Sequence, residues 1–158
     1  MLRIAALAGA GLLGSIHGVA AQHAKPDSAF SALQQRGEHY MGVDQTTSTH
    51  TFQDLPDGGR IVLVRDSTDS AGVAMIRMHL NHIARAFGAG NFAIPMLVHD
   101  TTVPGTAVMS RKHDAIRYRF SELPGGGQIQ ITTADPEALA AVHEFLAFQR
   151  ADHRIANH

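Results

Sequence analysis

Two histidines three residues apart, His79 and His82, stand in the stretch Met75-Ile76-Arg77-Met78-His79-Leu80-Asn81-His82-Ile83. Positions three apart are neighbours on a helix surface, so the two imidazoles can reach one ion or one flat ligand. Imidazole is the commonest metal ligand, and its charge switches near neutral pH. His50 or His99 extends the pair to three ligands. Met75, Met41 and Met96 offer sulfur, and nitrogen with sulfur suits copper, whereas three histidines and a water suit zinc. The expected metal set is therefore His79, His82, His50 and His99, with copper preferred. A non-covalent haem is the alternative, with His79 or His82 axial and Phe145 and Phe148 lining the ring. Covalent c-type attachment is excluded, because the chain has no cysteine. Without a ligand, the same helix face reads as a homodimer contact. Each residue also has a structural reading. Met75 and Met78 at helical spacing are packing residues, and His50 is a packed strand residue. His99-Asp100 shapes a loop or pairs a ligand with an acidic orienter. His39 with Met41 is an ordinary segment or a clip for a soft ion, and His153 and His158 are a solvated tail.

Elements must position these side chains. Val73, Ile76, Leu80, Ile83 and Phe87 recur at helical spacing and form one apolar stripe. That stripe puts His79 at its edge and turns His82 further toward water. The flanking segments repeat. His50-Thr51-Phe52-Gln53-Asp54-Leu55-Pro56-Asp57-Gly58-Gly59-Arg60-Ile61-Val62-Leu63 echoes Tyr118-Arg119-Phe120-Ser121-Glu122-Leu123-Pro124-Gly125-Gly126-Gly127-Gln128-Ile129-Gln130-Ile131. Both copies carry an aromatic strand end, an acidic-Leu-Pro turn, consecutive glycines and an alternating strand. Glycines allow the positive φ of tight hairpins, and the alternation fits a half-buried antiparallel strand. A helix follows each copy. The first starts near Asp66–Asp69, and the second at Asp135-Pro136-Glu137, where an N-cap, a first-turn proline and an acid favour the positive helix end.

The expected fold is therefore α+β: duplicated ββα units forming a four-stranded antiparallel sheet with two helices on one face, closing one core between the layers. The arrangement resembles TATA-binding-protein-like folds in architecture only. Residues 1–21 read as a signal peptide, 22–45 as an N-terminal arm with a short helix around Ala29–Gln35, 46–152 as the duplicated domain and 153–158 as a polar tail. Gly88 to Lys112, with Pro95 and Pro104-Gly105, reads as a long and therefore functional or mobile connection. Matching Ile76 to Val142 sets His79 and His82 opposite Phe145 and Phe148, and His50 opposite Tyr118. Ser48, His50 and Phe52 alternate, so His50 points to the helix side. One copy carries imidazoles where the other carries aromatic rings.

Composition bounds the partners. A short positive start, an apolar run from Ile4 to Ala20 and the small residues Val19-Ala20-Ala21 point to secretion, periplasmic or extracellular, with no membrane contact after cleavage. About 137 residues remain beyond position 21, enough for one domain with a core. Lys and Arg total 13 against 14 Asp and Glu, with no basic run, which argues against nucleic acid. Histidine is abundant, at 11, so a metal ion or small ligand is the expected partner. No Gly-x-Ser-x-Gly, P-loop or His-Glu-x-x-His occurs, so no catalytic motif supports an enzyme.

Several stretches together resemble a family of uncharacterised small exported proteobacterial proteins. They are His39-Tyr40-Met41-Gly42-Val43-Asp44-Gln45, Thr47-Ser48-Thr49-His50, His79-Leu80-Asn81-His82-Ile83-Ala84, Pro95-Met96-Leu97-Val98-His99-Asp100 and Ala138-Leu139-Ala140-Ala141-Val142-His143-Glu144-Phe145-Leu146. Members are sometimes labelled aspartate carbamoyltransferase. This sequence does not support that label, for it lacks the Ser-Thr-Arg-Thr and His-Pro-x-Gln stretches and is too short for two domains. Many relatives carry a second histidine after the one matching His50, where this chain has Thr51.

Overall fold

A computed structural model describes residues 27–42 and 47–153, leaving the side chains of Asp27 and Met41 aside. The expected signal peptide, the Met41 ligand and His158 lie outside the described residues. Among those described, no helix is long and apolar enough to cross a membrane.

Helix α1 (Asp27–Met41) precedes hairpin β1 (Ser48–Leu55) and β2 (Gly58–Arg65), helix α2 (Ser70–Gly88), short helices α3 (Ala93–His99) and α4 (Thr106–Arg111), hairpin β3 (Ile116–Leu123) and β4 (Gly126–Thr133), and helix α5 (Pro136–Asp152). The four strands form one antiparallel sheet in the order β1-β2-β4-β3. The fold is α+β, as the repeated sequence implies.

The two hairpins close identically. Leu55 pairs with Gly58 around Pro56-Asp57, and Leu123 pairs with Gly126 around Pro124-Gly125. The glycines that open β2 and β4 answer mainly to crowding between the central strands. A Cβ on Gly58 would stand 2.0 Å from the Ile131 carbonyl oxygen, and one on Gly126 2.2 Å from that of Leu63. Each turn also receives the other half. The Arg65 N–H donates to the Gly125 carbonyl and the Thr133 N–H to the Asp57 carbonyl, both at 2.9 Å.

The helices begin where their caps require. Asp69 accepts from the Gly72 N–H, and Asp135 accepts from the N–H groups of Glu137 and Ala138. Each helix then crosses to the opposite half, α2 over β3 and β4 and α5 over β1 and β2. Arg77 of α2 donates to the carbonyls of Leu123 and Gly126, and His143 of α5 turns its Nε2–H between those of Leu55 and Gly58. These four acceptors are related positions in the two hairpins, so the duplication extends to how the layers are fastened.

Both helices share one face. Gly59 and Ile131 are register partners, as are Leu63 and Gly127, so all four project to the same side. A Cβ on Gly59 would meet Leu146 of α5, and one on Gly127 would approach Leu80 of α2. Between these layers Ile61, Leu63, Ile129 and Ile131 pack against Ile76, Leu80, Phe87, Val142, Phe145 and Leu146.

The connection between the halves is helical where a long loop was expected. The N-cap residue of its helix α3, Phe92, makes no side-chain cap bond, the Asn91 side chain accepts from the Ala93 N–H at 3.0 Å, and Asp100, just beyond the helix, is the only described non-glycine residue with positive φ, at 51°. Leu33 of α1 is buried, and Arg36 donates to the Val98 carbonyl at 2.8 Å, so α1 is docked on α3. At Gly105, with φ 79°, a Cβ would stand 2.1 Å from the Ala141 carbonyl oxygen, which explains glycine where α4 meets α5.

Candidate functional site

The core is not filled uniformly. A cavity of about 60 Å³ lies under α3, between β1, β2, α2 and α5. Strand alternation delivers His50, Phe52, Ile61 and Leu63 to its floor, and α2 contributes His79, Leu80, Ile83 and Phe87. Its remaining walls are Ile94, Pro95, Val98 and His99 of α3, Phe145 and Gln149 of α5, and His153 just past that helix. The lining is mainly apolar, with polar groups at four imidazoles and one amide and no Lys, Arg, Asp or Glu.

His50 stacks on Phe52, with ring centroids 6.0 Å apart, and on His153, at 5.2 Å. Burial holds the His50 imidazole down to about 4, and the charge of nearby His79 adds to the effect. His79 is likewise lowered to about 4, first by burial and then by His82. Both rings are therefore neutral at neutral pH. Neither makes a hydrogen bond with another described residue.

His99 is held quite differently. It is buried, with Nδ1 2.5 Å from Oδ2 of Asp152 and Nε2 3.0 Å from Oε1 of Gln149. Both ring nitrogens have a partner, which fixes the ring between α3 and the end of α5. Phe148 and His153 meet it edge-on at 5.1 and 5.2 Å. The Gln149 amide nitrogen is buried with no hydrogen-bond partner among the described residues, although native interiors pair nearly all such groups.

His50, His79 and His99 of the expected set thus line one cavity, together with Phe145. His82 does not join them. It is exposed and faces a separate, more open depression with Arg77, Met78, Asn81, Arg85, Phe120 and Glu122. The reason is angular: neighbouring positions on α2 straddle the edge of the apolar stripe, so one ring turns inward and the other outward. Met75 and Met96 are each 39 % exposed and do not line the cavity. Phe148 is packed against the core and touches the His99 ring from outside the lining. His99 takes its acidic partner from Asp152 and not from neighbouring Asp100. Among the described residues, no group of three or more His, Cys, Asp or Glu side chains is placed to hold one metal ion.

Sequence reasoning missed Gln149, Asp152 and His153. His153, expected to be a solvated tail, stacks on His50 and closes one wall. The available signal was the stripe of α5, where Ala138, Val142, Phe145, Gln149 and Asp152 continue one ridge and place two polar residues where burial was expected. Comparison with known proteins finds no matching family model, curated protein or solved structure.

Proposed function

We propose that this chain is a binding protein for a small ligand and that the cavity beneath α3 is its site. The observation that carries this reading is convergence. Separate elements direct imidazoles and an amide into one mostly apolar hollow that a second aromatic residue in place of His50 or His79 would tend to fill. Perturbed titratable groups in a concave site add support. No serine, threonine or tyrosine lines the cavity, so binding is favoured over nucleophilic catalysis. Xenon, which enters apolar cavities without needing polar contacts, tests the reading. Under xenon pressure the methyl resonances of Leu63, Leu80, Ile83 and Val98 should shift selectively, and a silent set would remove the proposal.

A metal ion, copper by preference and zinc second, is the other reading. It is favoured by His50 and His79 both being unprotonated at neutral pH, the form that ligates. Those two imidazoles would hold it, while the nitrogens of His99 are engaged by Asp152 and Gln149. Calorimetric titration with copper or zinc should show binding that His50→Ala/His79→Ala abolishes and His82→Ala leaves intact. Equal heats for all three proteins would end this reading.

A further inference from the structure

The sheet has two outer strands, and only one of them has its edge closed by a side chain. In an antiparallel pair, residues whose backbone N–H and C=O groups face the neighbouring strand alternate with residues whose groups face away. Thr133, the register partner of Ile116, donates its N–H to Asp57 on the far side of β4, so the Ile116–Thr133 pair exchanges no bonds. Counting by two from Ile116, Tyr118 and Phe120 turn their N–H and C=O groups to the outer edge, and no described residue bonds to them. The equivalent edge of β1 is occupied. Arg150 of α5 donates to the Phe52 carbonyl at 3.1 Å and pairs with the Asp54 carboxylate. With Ile76 matched to Val142, α2 carries Ala84 where α5 carries Arg150, and a methyl group has nothing to donate to the Phe120 carbonyl. The open edge is independent of the cavity, none of whose lining comes from β3.

The surroundings of this edge are basic. Arg117 and Arg119 stand opposite Thr132 and Gln130, on the sheet face away from the helices, and both are exposed. On the helix side, the depression beside His82 is lined by Met78 and Arg85 of α2 and by Phe120. None of its lining comes from β4, so it opens on the outer side of β3. The side chains of Arg85, Arg117 and Arg119 bond to no described residue. The acid in that depression, Glu122, is paired with Arg77 at 3.1 Å. Pairing with β3 of a second copy would set arginine against arginine, which is destabilising.

We propose that the outer edge of β3 takes an extended acidic segment of another protein as a fifth, antiparallel strand. Main-chain bonds to Tyr118 and Phe120 supply the affinity, and side chains alternating between the two faces supply the selection. Residues of the segment opposite Arg117 and Arg119 are acidic. Those opposite Tyr118 and Phe120 are apolar and turn toward the depression between β3 and α2, where they meet Phe120 and Met78.

A blocked peptide of alternating glutamate and valine, acetyl-Glu-Val-Glu-Val-Glu-Val-Glu-amide, is titrated into the full-length protein at pH 7 and followed by backbone amide resonances. The Tyr118 and Phe120 amides should shift and exchange more slowly with solvent on binding, while those of Arg117 and Arg119, already bonded to β4, keep their exchange rates. Lysine in place of the glutamates should abolish the shifts. Arg117→Ala/Arg119→Ala should weaken binding about 3–10-fold, the effect of losing two cross-strand charge pairs. Methylating the valine nitrogens, whose N–H groups would face β3, should weaken it at least as much, whereas methylating the glutamate nitrogens should not. Equal binding of the lysine peptide, the same affinity for both methylated peptides, or no shift of the Tyr118 and Phe120 amides at any attainable concentration overturns the proposal. So does a dimer of the protein alone in which those two amides are already protected, because the edge then belongs to a second copy.

Discussion

The two halves of the domain share a frame and differ in what they enclose. Arg77 and His143 fasten opposite hairpins through related carbonyls, and each turn accepts from the last strand residue of the other half. Yet Tyr118 meets Phe87 edge-on at 5.7 Å and lies outside the cavity, whereas its counterpart His50 lines it. Phe145 packs against Phe87 and Phe92, while the matching position in α2 presents His79. The backbone therefore does not dictate the hollow. Smaller, polar rings in one copy put nitrogen beside the space, whereas Tyr118 of the other copy packs edge-on against Phe87.

The largest effect should come from breaking what holds the hollow half together. Asp152→Ala leaves His99 buried between α3 and α5 without its carboxylate. Removing the charged acceptor of a buried hydrogen bond costs about 3 kcal/mol, which for a domain of this size lowers Tm by on the order of 10 °C. A thermal melt beside the wild type measures it, and a change below a couple of degrees would show that α3 is held by other contacts.

The next effect separates the halves by pH. His50 and His79 are lowered to about 4 from 6.5, so the folded protein binds fewer protons than the unfolded chain between those values. Their neutral state supports the fold fully above pH 6.5. That support is lost as pH falls through 6.5 toward 4 and changes no further below about 4. A tenfold difference in proton affinity between folded and unfolded chain is worth about 1.4 kcal/mol, and solvent reaching two half-buried rings reduces the total to roughly 2–4 kcal/mol. The double substitution His50→Tyr/His79→Phe, which gives the first half the rings of the second, should flatten this part of the profile and fill the cavity. Urea midpoints at pH 7.5, 6 and 4.5 compare the two proteins. Parallel profiles would place the acid sensitivity elsewhere.

Most of the frame was legible because it rests on local chemistry. Asp135 caps α5 where its type and position indicated, α2 begins just past the expected Asp66–Asp69 stretch, and the doubled Leu-Pro turns marked both hairpins. The orientation of His50 followed from strand alternation, with Phe52 as its guide. The missing parts depend on packing between distant segments. Helix α3 is too short for periodicity, carries Pro95 and has Phe92 at its N-cap, so nothing in its own residues separates it from a loop. Its place is secured by Arg36 from α1 and by Asp152 and Gln149 from α5. The division between His79 and His82 was visible as an angle on the helix. Their expected shared ion required knowing where the wall of the core ended.

The smallest effect probes the closed half. The Tyr118 hydroxyl is buried with no partner among the described residues, and burial raises its titration above the ordinary tyrosine range. An unpaired buried hydroxyl costs about 1–3 kcal/mol, part of which Tyr118→Phe should recover, since removing one oxygen leaves only a small gap. The expected outcome is a gain of about 1 kcal/mol in urea denaturation with an unchanged slope. The sign carries the information. A gain means that this end of the core is dry, and that the polar groups of the first half are a departure confined to the cavity. A loss means that the hydroxyl has a bridging water, so both halves admit solvent and the contrast between them is one of degree.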